Sequence, residues 1–354
     1  MSPTTTTRQT DHSPDRDESL AIDAQDVHVT YGDGTEAVKG VDLAVRSGEF
    51  FGFLGPNGAG KTTIIKTLST LLHPTQGSIR IDGADVETET HTVRQSIGYM
   101  AQETSVDEEL TARENVRFAC EVYGVPSEER DERIEALLEL VNLTEDADRR
   151  AETFSGGMKK RLDAATVLVH RPPVVFLDEP TTGLDPEARI QFWEYLRDIN
   201  DRGTTVFLTT QYLEEIDRLC DRLALLEDGR IVAVDTPQAL KSSVGGEVLD
   251  LVLAEPTDAE KHRAGRIVRR SDAVEATRIE PTDDGITVTA ADAHGGVSGL
   301  VVTLHEAGLT VTGFDIYSPT LEHVFLQLTD ADAEAVGAET TPGQDVPTAP
   351  EVVR

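Results

Sequence analysis

Gly55-Pro56-Asn57-Gly58-Ala59-Gly60-Lys61-Thr62-Thr63 fits the pattern of a phosphate-cradling loop, G-x-x-x-x-G-K-[ST], at every fixed position. The residues before it, Glu49-Phe50-Phe51-Gly52-Phe53-Leu54, read as a short buried strand. Those after it, Thr62 to Leu72, read as a helix with Ile64, Ile65, Leu68 and Leu71 on one face. Strand, glycine-rich turn, helix is the context the pattern needs. Gly55, Gly58 and Gly60 lack Cβ, so the backbone can curl and aim successive N–H groups inward. The helix start adds the positive end of its dipole. Lys61 would bring a point charge to the terminal phosphates of a nucleoside triphosphate, and Thr62 a hydroxyl ligand for Mg²⁺.

Further along, Val174-Val175-Phe176-Leu177-Asp178-Glu179-Pro180 reads as a buried parallel strand with two carboxylates at its carboxyl end. Ligands sit at that edge of open α/β sheets. Asp178 would serve Mg²⁺, and Glu179, near the γ-phosphate, would polarise an attacking water. Alone, an apolar strand ending in two acids is weak; paired with the phosphate loop it is strong. Thr204 to Leu208 is another buried strand, and Gln211 after it lies where a strand end reaches a terminal phosphate. Leu223–Leu226 and Ile231–Val234, joined by Asp228-Gly229, read as edge strands. Thr153-Phe154-Ser155-Gly156-Gly157-Met158 leads into a helix with Ser155 as N-cap. Lys159, Lys160 and Arg161 in its first turn oppose the helix dipole, a local cost that favours an anion nearby.

Upstream, Val27 and Val29, then Val38, Val41, Leu43 and Val45, alternate as two antiparallel strands that feed the loop. Tyr31 ends the first; it would either stack on an adenine ring or stand as a strand-end tyrosine with a wet hydroxyl. Ser78–Ile81 and Ile97–Met100 are short strands, with Gln102 directly after the second. Residues 111–142 are helical by pattern, with Val116, Ala119, Val122 and Tyr123, then Ile134, Leu137, Leu138 and Val141, on the apolar side. They read as a helical insertion into an α/β core.

Residues 245–330 read as a separate small α+β domain, with strands at 248–252, 274–279 and 285–288, a helix at 297–307 and a last strand through Thr310, Val311 and Phe314. His262, His294, His305 and His323 are scattered without metal spacing and read as surface residues. A regulatory or a dimer-stabilising role both fit this region. Residues 1–22 and the acidic, proline-containing 331–354 read as disordered tails flanking a phosphate-site domain at 23–240.

The 354 residues carry 65 Asp and Glu against 32 Lys and Arg, a formal charge of −33. Such a chain repels itself in dilute buffer and tolerates screening salt, so a salt-loving cytoplasm is the expectation. The same charge argues against nucleic acid as a partner, because phosphate backbones need a basic stripe. Cys120 and Cys220 sit in apolar helical patterns and read as small buried hydrophobes. No apolar run approaches a membrane span and the N-terminus has no signal-like segment, so the expectation is a cytoplasmic chain that reaches a membrane only through a partner.

Taken in order, GPNGAGKTT, Gln102, FSGGM, VVFLDEP and GLD resemble the nucleotide-binding subunit of an ATP-binding-cassette (ABC) transporter over about residues 24–240. Ser155 stands 23 residues before Asp178, and a signature just upstream of the acidic strand is peculiar to that family. LTTQYLEE at 208–215 and SPTLEHVFLQLT at 318–329 narrow the likeness to the daunorubicin-resistance type of drug exporter, which pairs a separate ATPase with a separate permease. The resemblance implies a P-loop cassette with a mixed sheet core, an antiparallel β subdomain and an inserted helical subdomain. It implies ATP and Mg²⁺ as ligands, Tyr31 on adenine, Gly55 to Thr63 on the phosphates, and Thr62, Gln102 and Asp178 at the metal. Glu179 would be the general base, with Gln102 and Gln211 beside the attacking water and γ-phosphate. Ser155, Gly156 and Gly157 would bind ATP held by a second copy, and Asp185 would cross that dimer interface. A membrane permease would be the other partner.

Two positions depart from the family's usual pattern. Met158 stands where the signature commonly ends in Gln, and Gln211 stands where a His is usual. Glutamine donates a hydrogen bond but carries no proton or charge, so slower or less pH-dependent hydrolysis is expected. Two rival readings are an ABC ATPase of DNA repair or translation, disfavoured by a single cassette without coiled coil or zinc insertion, and an ATP-gated regulatory subunit with little turnover.

Overall fold

The computed structural model describes residues 19–243 and 246–325. The chain divides into two compact units after Val234. Most of residues 1–22, and all of 331–354, lie outside the described residues. So do residue 245 and residues 326–330, and with them the last residues of the 318–329 stretch.

The first unit contains two sheets. β1 (Leu20–Thr30), β2 (Glu36–Arg46), β4 (Gln76–Ile81) and β5 (Ala84–Asp85) form an antiparallel sheet in the order β2-β1-β4-β5. β1 begins two residues before Ile22, so Leu20 to Ile22 belong to the sheet and not to a tail; Ile22 is wholly buried. The second sheet runs β10-β9-β3-β8-β7-β6, from β3 (Phe50–Leu54), β6 (Ile97–Met100), β7 (Val174–Asp178), β8 (Thr205–Thr210), β9 (Arg222–Glu227) and β10 (Arg230–Asp235). β9, β3, β8, β7 and β6 are mutually parallel. Every residue of β3, β7 and β8 is buried, as expected of parallel strands covered on both faces. Phe51, Phe53 and Phe176 meet around Phe207, with ring centroids 5.6–5.8 Å apart. The strand register brings the ends of β3, β7 and β8 level at one edge.

α1 (Lys61–Leu68) leaves β3 through the glycine loop. It ends four residues before Leu72, because Thr70 adopts a left-handed conformation (φ 65°) and the N–H of Leu71 turns back to Lys66 O. Leu71, expected on the apolar face, is therefore exposed. α2 (Thr90–Ser96) leads into β6. The 111–142 run is two helices, α3 (Ala112–Val122) and α4 (Ser127–Leu140), parted by Gly124 at φ 69° and Pro126. α3 starts on a capping box between Thr111 and Glu114. Val122 and Tyr123 do not join the core: both are exposed, and Tyr123 lies flat on His170 with centroids 4.0 Å apart. α5 (Gly156–Val167), α6 (Pro186–Asp201) and α7 (Leu213–Leu219) complete the unit. Cys120 and Cys220 are buried free thiols.

The second unit holds α8 (Pro237–Ser243), β11 (Glu247–Leu253), α9 (Asp258–Val268), β12 (Ala276–Pro281), β13 (Gly285–Ala290), α10 (Ala293–Glu306) and β14 (Val311–Tyr317). Its four strands are antiparallel in the order β12-β13-β11-β14, a ferredoxin-like βαββαβ arrangement. α9 and α10 pack Ala264, Val268, Leu300 and Leu304 onto Leu249, Leu251, Ile286 and Val288. Among the described residues no helix is long and apolar enough to cross a membrane.

Candidate functional site

The loop after β3 is shaped by close approach. Gly60 sits at φ 106°, and a Cβ there would lie 2.5 Å from Ala37 O. Glycine at 60 is thus required on both conformational and steric grounds. α1 begins at the next residue with no side-chain cap, which leaves its first N–H groups for an anion. The Asp228-Gly229 turn braces the loop from the side: Gly229 N–H donates to Ala59 O, and Lys39 pairs with Asp228 at 2.7 Å. Both turn residues have positive φ, as a two-residue hairpin turn demands.

Lys61 is 4% exposed. Its ammonium donates to Gly55 O at 2.8 Å and Pro56 O at 3.1 Å, and stands 3.4 Å from Glu179 Oε1. Asp178 is buried at the end of β7, where the Thr209 hydroxyl donates to Oδ1 at 2.6 Å and the Thr62 hydroxyl at 3.5 Å. Glu179 departs from the strand at φ 47°, a left-handed conformation unusual for a non-glycine residue, and its N–H bonds Thr209 O. Its carboxylate receives the Gln102 amide at 3.3 Å and the Thr182 hydroxyl at 3.5 Å on Oε2. The Tyr31 hydroxyl bonds that of Thr63 at 3.0 Å, and the ring is partly exposed. Tyr99, behind Asp178, has its hydroxyl pushed up to about 12 by burial and by that carboxylate.

A cleft of about 580 Å³ opens over this array. Of the residues expected from the sequence, Tyr31, Asn57, Gly58, Gly60, Lys61, Thr62, Thr63, Gln102, Glu179 and Gln211 line it. Gly55, Pro56 and Ala59 complete the loop behind them, and Asp178 lies beneath Thr62. Ser155, Gly156, Gly157 and Asp185 do not line this cleft. They start two helices that meet side by side: Ser155 Oγ caps α5 at Met158 N, Asp185 caps α6 at Ala188 N, and Gly157 packs on Ala188. Ser155, Gly156 and Asp185 are exposed there.

The basic residues near the start of α5 have another explanation than an anion. Lys159 pairs with Glu108, Lys160 donates to Gln102 O, and Arg161 donates to Val141 O and Asn142 O beyond the end of α4. These cations are taken up inside the fold. Sequence reasoning missed Thr209 and Thr182. Thr209 is set opposite Asp178 by the pairing of β8 with β7, a register that no sequence motif marks. Thr182 lies in the turn between β7 and α6.

The paired hydroxyl and carboxylate of Thr62 and Asp178 are hard oxygen donors, the set Mg²⁺ takes. Lys61 and the uncapped start of α1 suit phosphate. The geometry is that of a nucleoside-triphosphate site with a carboxylate beside the terminal phosphate position.

Comparison with known proteins agrees with that geometry. Residues 38–182 match the family model described as ABC transporter. The daunorubicin resistance ATP-binding protein DrrA3 of Streptomyces coeruleorubidus is 40% identical over 88% of this chain and 96% of its own length. The daunorubicin/doxorubicin resistance ATP-binding protein DrrA of Streptomyces peucetius is 43% identical over 85% and 90%. Among solved structures, the dimeric ATP-binding cassette MJ0796 in a post-hydrolysis state bound to ADP and Pi covers 61% of this chain and 98% of its own, with 28% identity and a TM-score of 0.56. With the phosphate loop, the acidic strand end and the signature helix all in place, the chain belongs to the ATP-hydrolysing, ATP-binding proteins of the ABC transporter family.

Proposed function

We propose that this protein powers an exporter of hydrophobic, drug-like compounds through a separate membrane permease, binding two ATPs between two copies of itself. The observation that carries the reading is the convergence of Lys61, Thr62, Asp178, Gln102 and Glu179 on one cleft. The export of drugs rests on the names of the relatives, which are resistance proteins. The second copy rests on Ser155, Gly156 and Gly157, an exposed helix start of the kind that takes phosphate, lying away from their own chain's cleft.

The residues divide the work as follows. Tyr31 offers its partly exposed ring to adenine, and the 55–63 loop wraps the phosphates. Mg²⁺, held by Thr62 and Asp178 with Gln102 nearby, would neutralise charge on the β- and γ-phosphates. Before nucleotide arrives, the Lys61 ammonium is shared between Gly55 O, Pro56 O and Glu179. Phosphate oxygens compete for that ammonium, and Glu179 is released to accept a proton from water. Gln102 and Gln211 then orient the water and the γ-phosphate through amide hydrogen bonds. Asp185 sits on the surface that would face the second copy. Loss of the γ-phosphate removes contacts that favour the closed pair, and the pair reopens. Attachment to the cytoplasmic face of a membrane would come through the permease, and the charge of −33 suits a salt-rich cytoplasm.

The test is Glu179→Gln in the full chain with Mg²⁺-ATP. Turnover falls by about 10²–10⁴-fold while ATP binding is retained. Equal and very slow turnover in both proteins would instead favour an ATP-gated regulatory subunit, the reading to which Met158 and Gln211 give support.

A further inference from the structure

Lys160 is an expensive residue in an unpromising place. It is the fifth residue of α5, and it is only 9% exposed. Burial pushes its ammonium below the usual lysine range, partly opposed by Asp163 and Asp178. Its hydrogen bond goes to the backbone carbonyl of Gln102. The side chain of that same residue donates to Glu179 Oε2 at 3.3 Å.

Two more side chains of α5 reach the segment that follows Gln102. Asp163, 1% exposed, accepts from both the N–H and the hydroxyl of Ser105. Lys159 pairs with Glu108. The segment from Gln102 to Glu108 has no regular secondary structure of its own, so such ties set its position: besides those from α5, Asn115 of α3 bonds the backbone of Asp107, and Glu152 N–H donates to Glu108 O. Of the three ties from α5, only Lys160 meets the residue that contacts Glu179.

We propose that Lys160 is a positioning residue for ATP hydrolysis: from the signature helix, its ammonium fixes the Gln102 carbonyl and so keeps the Gln102 amide on Glu179. The inference rests on the reading of Gln102 and Glu179 given above.

The experiment measures kcat and KM for ATP in the full chain with Lys160→Met, Lys160→Gln and Gln102→Ala, alone and combined. Lys160→Met keeps the bulk and loses the donor, so kcat falls by roughly ten- to a hundredfold with KM nearly unchanged. Lys160→Gln keeps a shorter, neutral donor and recovers most of that loss. In the Gln102→Ala background Lys160→Met adds nothing, because the group it positions is gone. A loss from Lys160→Met that multiplies the loss from Gln102→Ala, or wild-type kcat in Lys160→Met, overturns the proposal. Wild-type kcat in Gln102→Ala would sink the underlying reading of the cleft instead. Should Lys160→Met fail to fold, the residual loss in Lys160→Gln decides: present in the wild-type background and absent with Gln102→Ala supports positioning, and any other pattern overturns it.

Discussion

Glu179 holds a backbone conformation that costs a non-glycine residue of order 1–3 kcal/mol, and it persists because the surroundings over-determine it. Its N–H is taken by Thr209 O and its carboxylate by Lys61, Gln102 and Thr182. Thr209 serves both acids, since its hydroxyl donates to the buried Asp178. Thr209→Val removes that donor and leaves a buried carboxylate with only the long contact from Thr62. We expect a stability loss of about 1–3 kcal/mol and a raised Mg²⁺ requirement for turnover, with Thr209→Ser close to wild type. Denaturant unfolding and Mg²⁺ titration of the ATPase rate check this; a Val variant as stable as the Ser variant would count against it. The acids and Lys61 were legible in the sequence because fixed spacings mark them. Thr209 and Lys160 were not, because their roles depend on strand register and on a carbonyl that no motif encodes.

At the scale of elements, the loop and its strand are the most tightly specified part. Gly60 and Gly58 both have positive φ, but a Cβ at Gly60 meets Ala37 O at 2.5 Å whereas one at Gly58 meets nothing within 4 Å. Gly60→Ala is therefore expected to cost clearly more than about 2 kcal/mol and Gly58→Ala about 1 kcal/mol. Chemical denaturation without nucleotide, so that binding does not enter, measures both; equal costs would refute the steric account. Reading elements from the sequence worked where an apolar run was fully buried, as in β3, β7 and β8. It ran long at α1, where Thr70 takes a role usually given to glycine. It merged α3 and α4 because both helices present apolar faces across a short break. It missed α9 because only Ala264 and Val268 of its eleven residues are buried, although Thr257 and Glu260 form a start signal. It began α10 late because Gly295 and Gly296 look hostile to a helix. Gly296 is there for packing: a Cβ would lie 2.0 Å from Ala273 O.

At the scale of the whole molecule, acids outnumber bases two to one, and the basic side chains near the cleft are committed to internal partners. Self-repulsion then falls on the rest of the surface and is relieved only by counterions. The midpoint of thermal unfolding should rise by several degrees from dilute buffer to about 1 M KCl, where the screening length is about 3 Å. Circular dichroism melts check it, and a midpoint independent of salt would remove the case for a salt-rich habitat.

The exposed start of α5 and the cleft over Lys61 belong to one polypeptide yet do not meet. If, as proposed, the helix start of one copy completes the cleft of another, the catalyst obeys a different rate law from a self-sufficient one: specific activity climbs with enzyme concentration until pairing saturates, and tethering to a common scaffold abolishes the dependence.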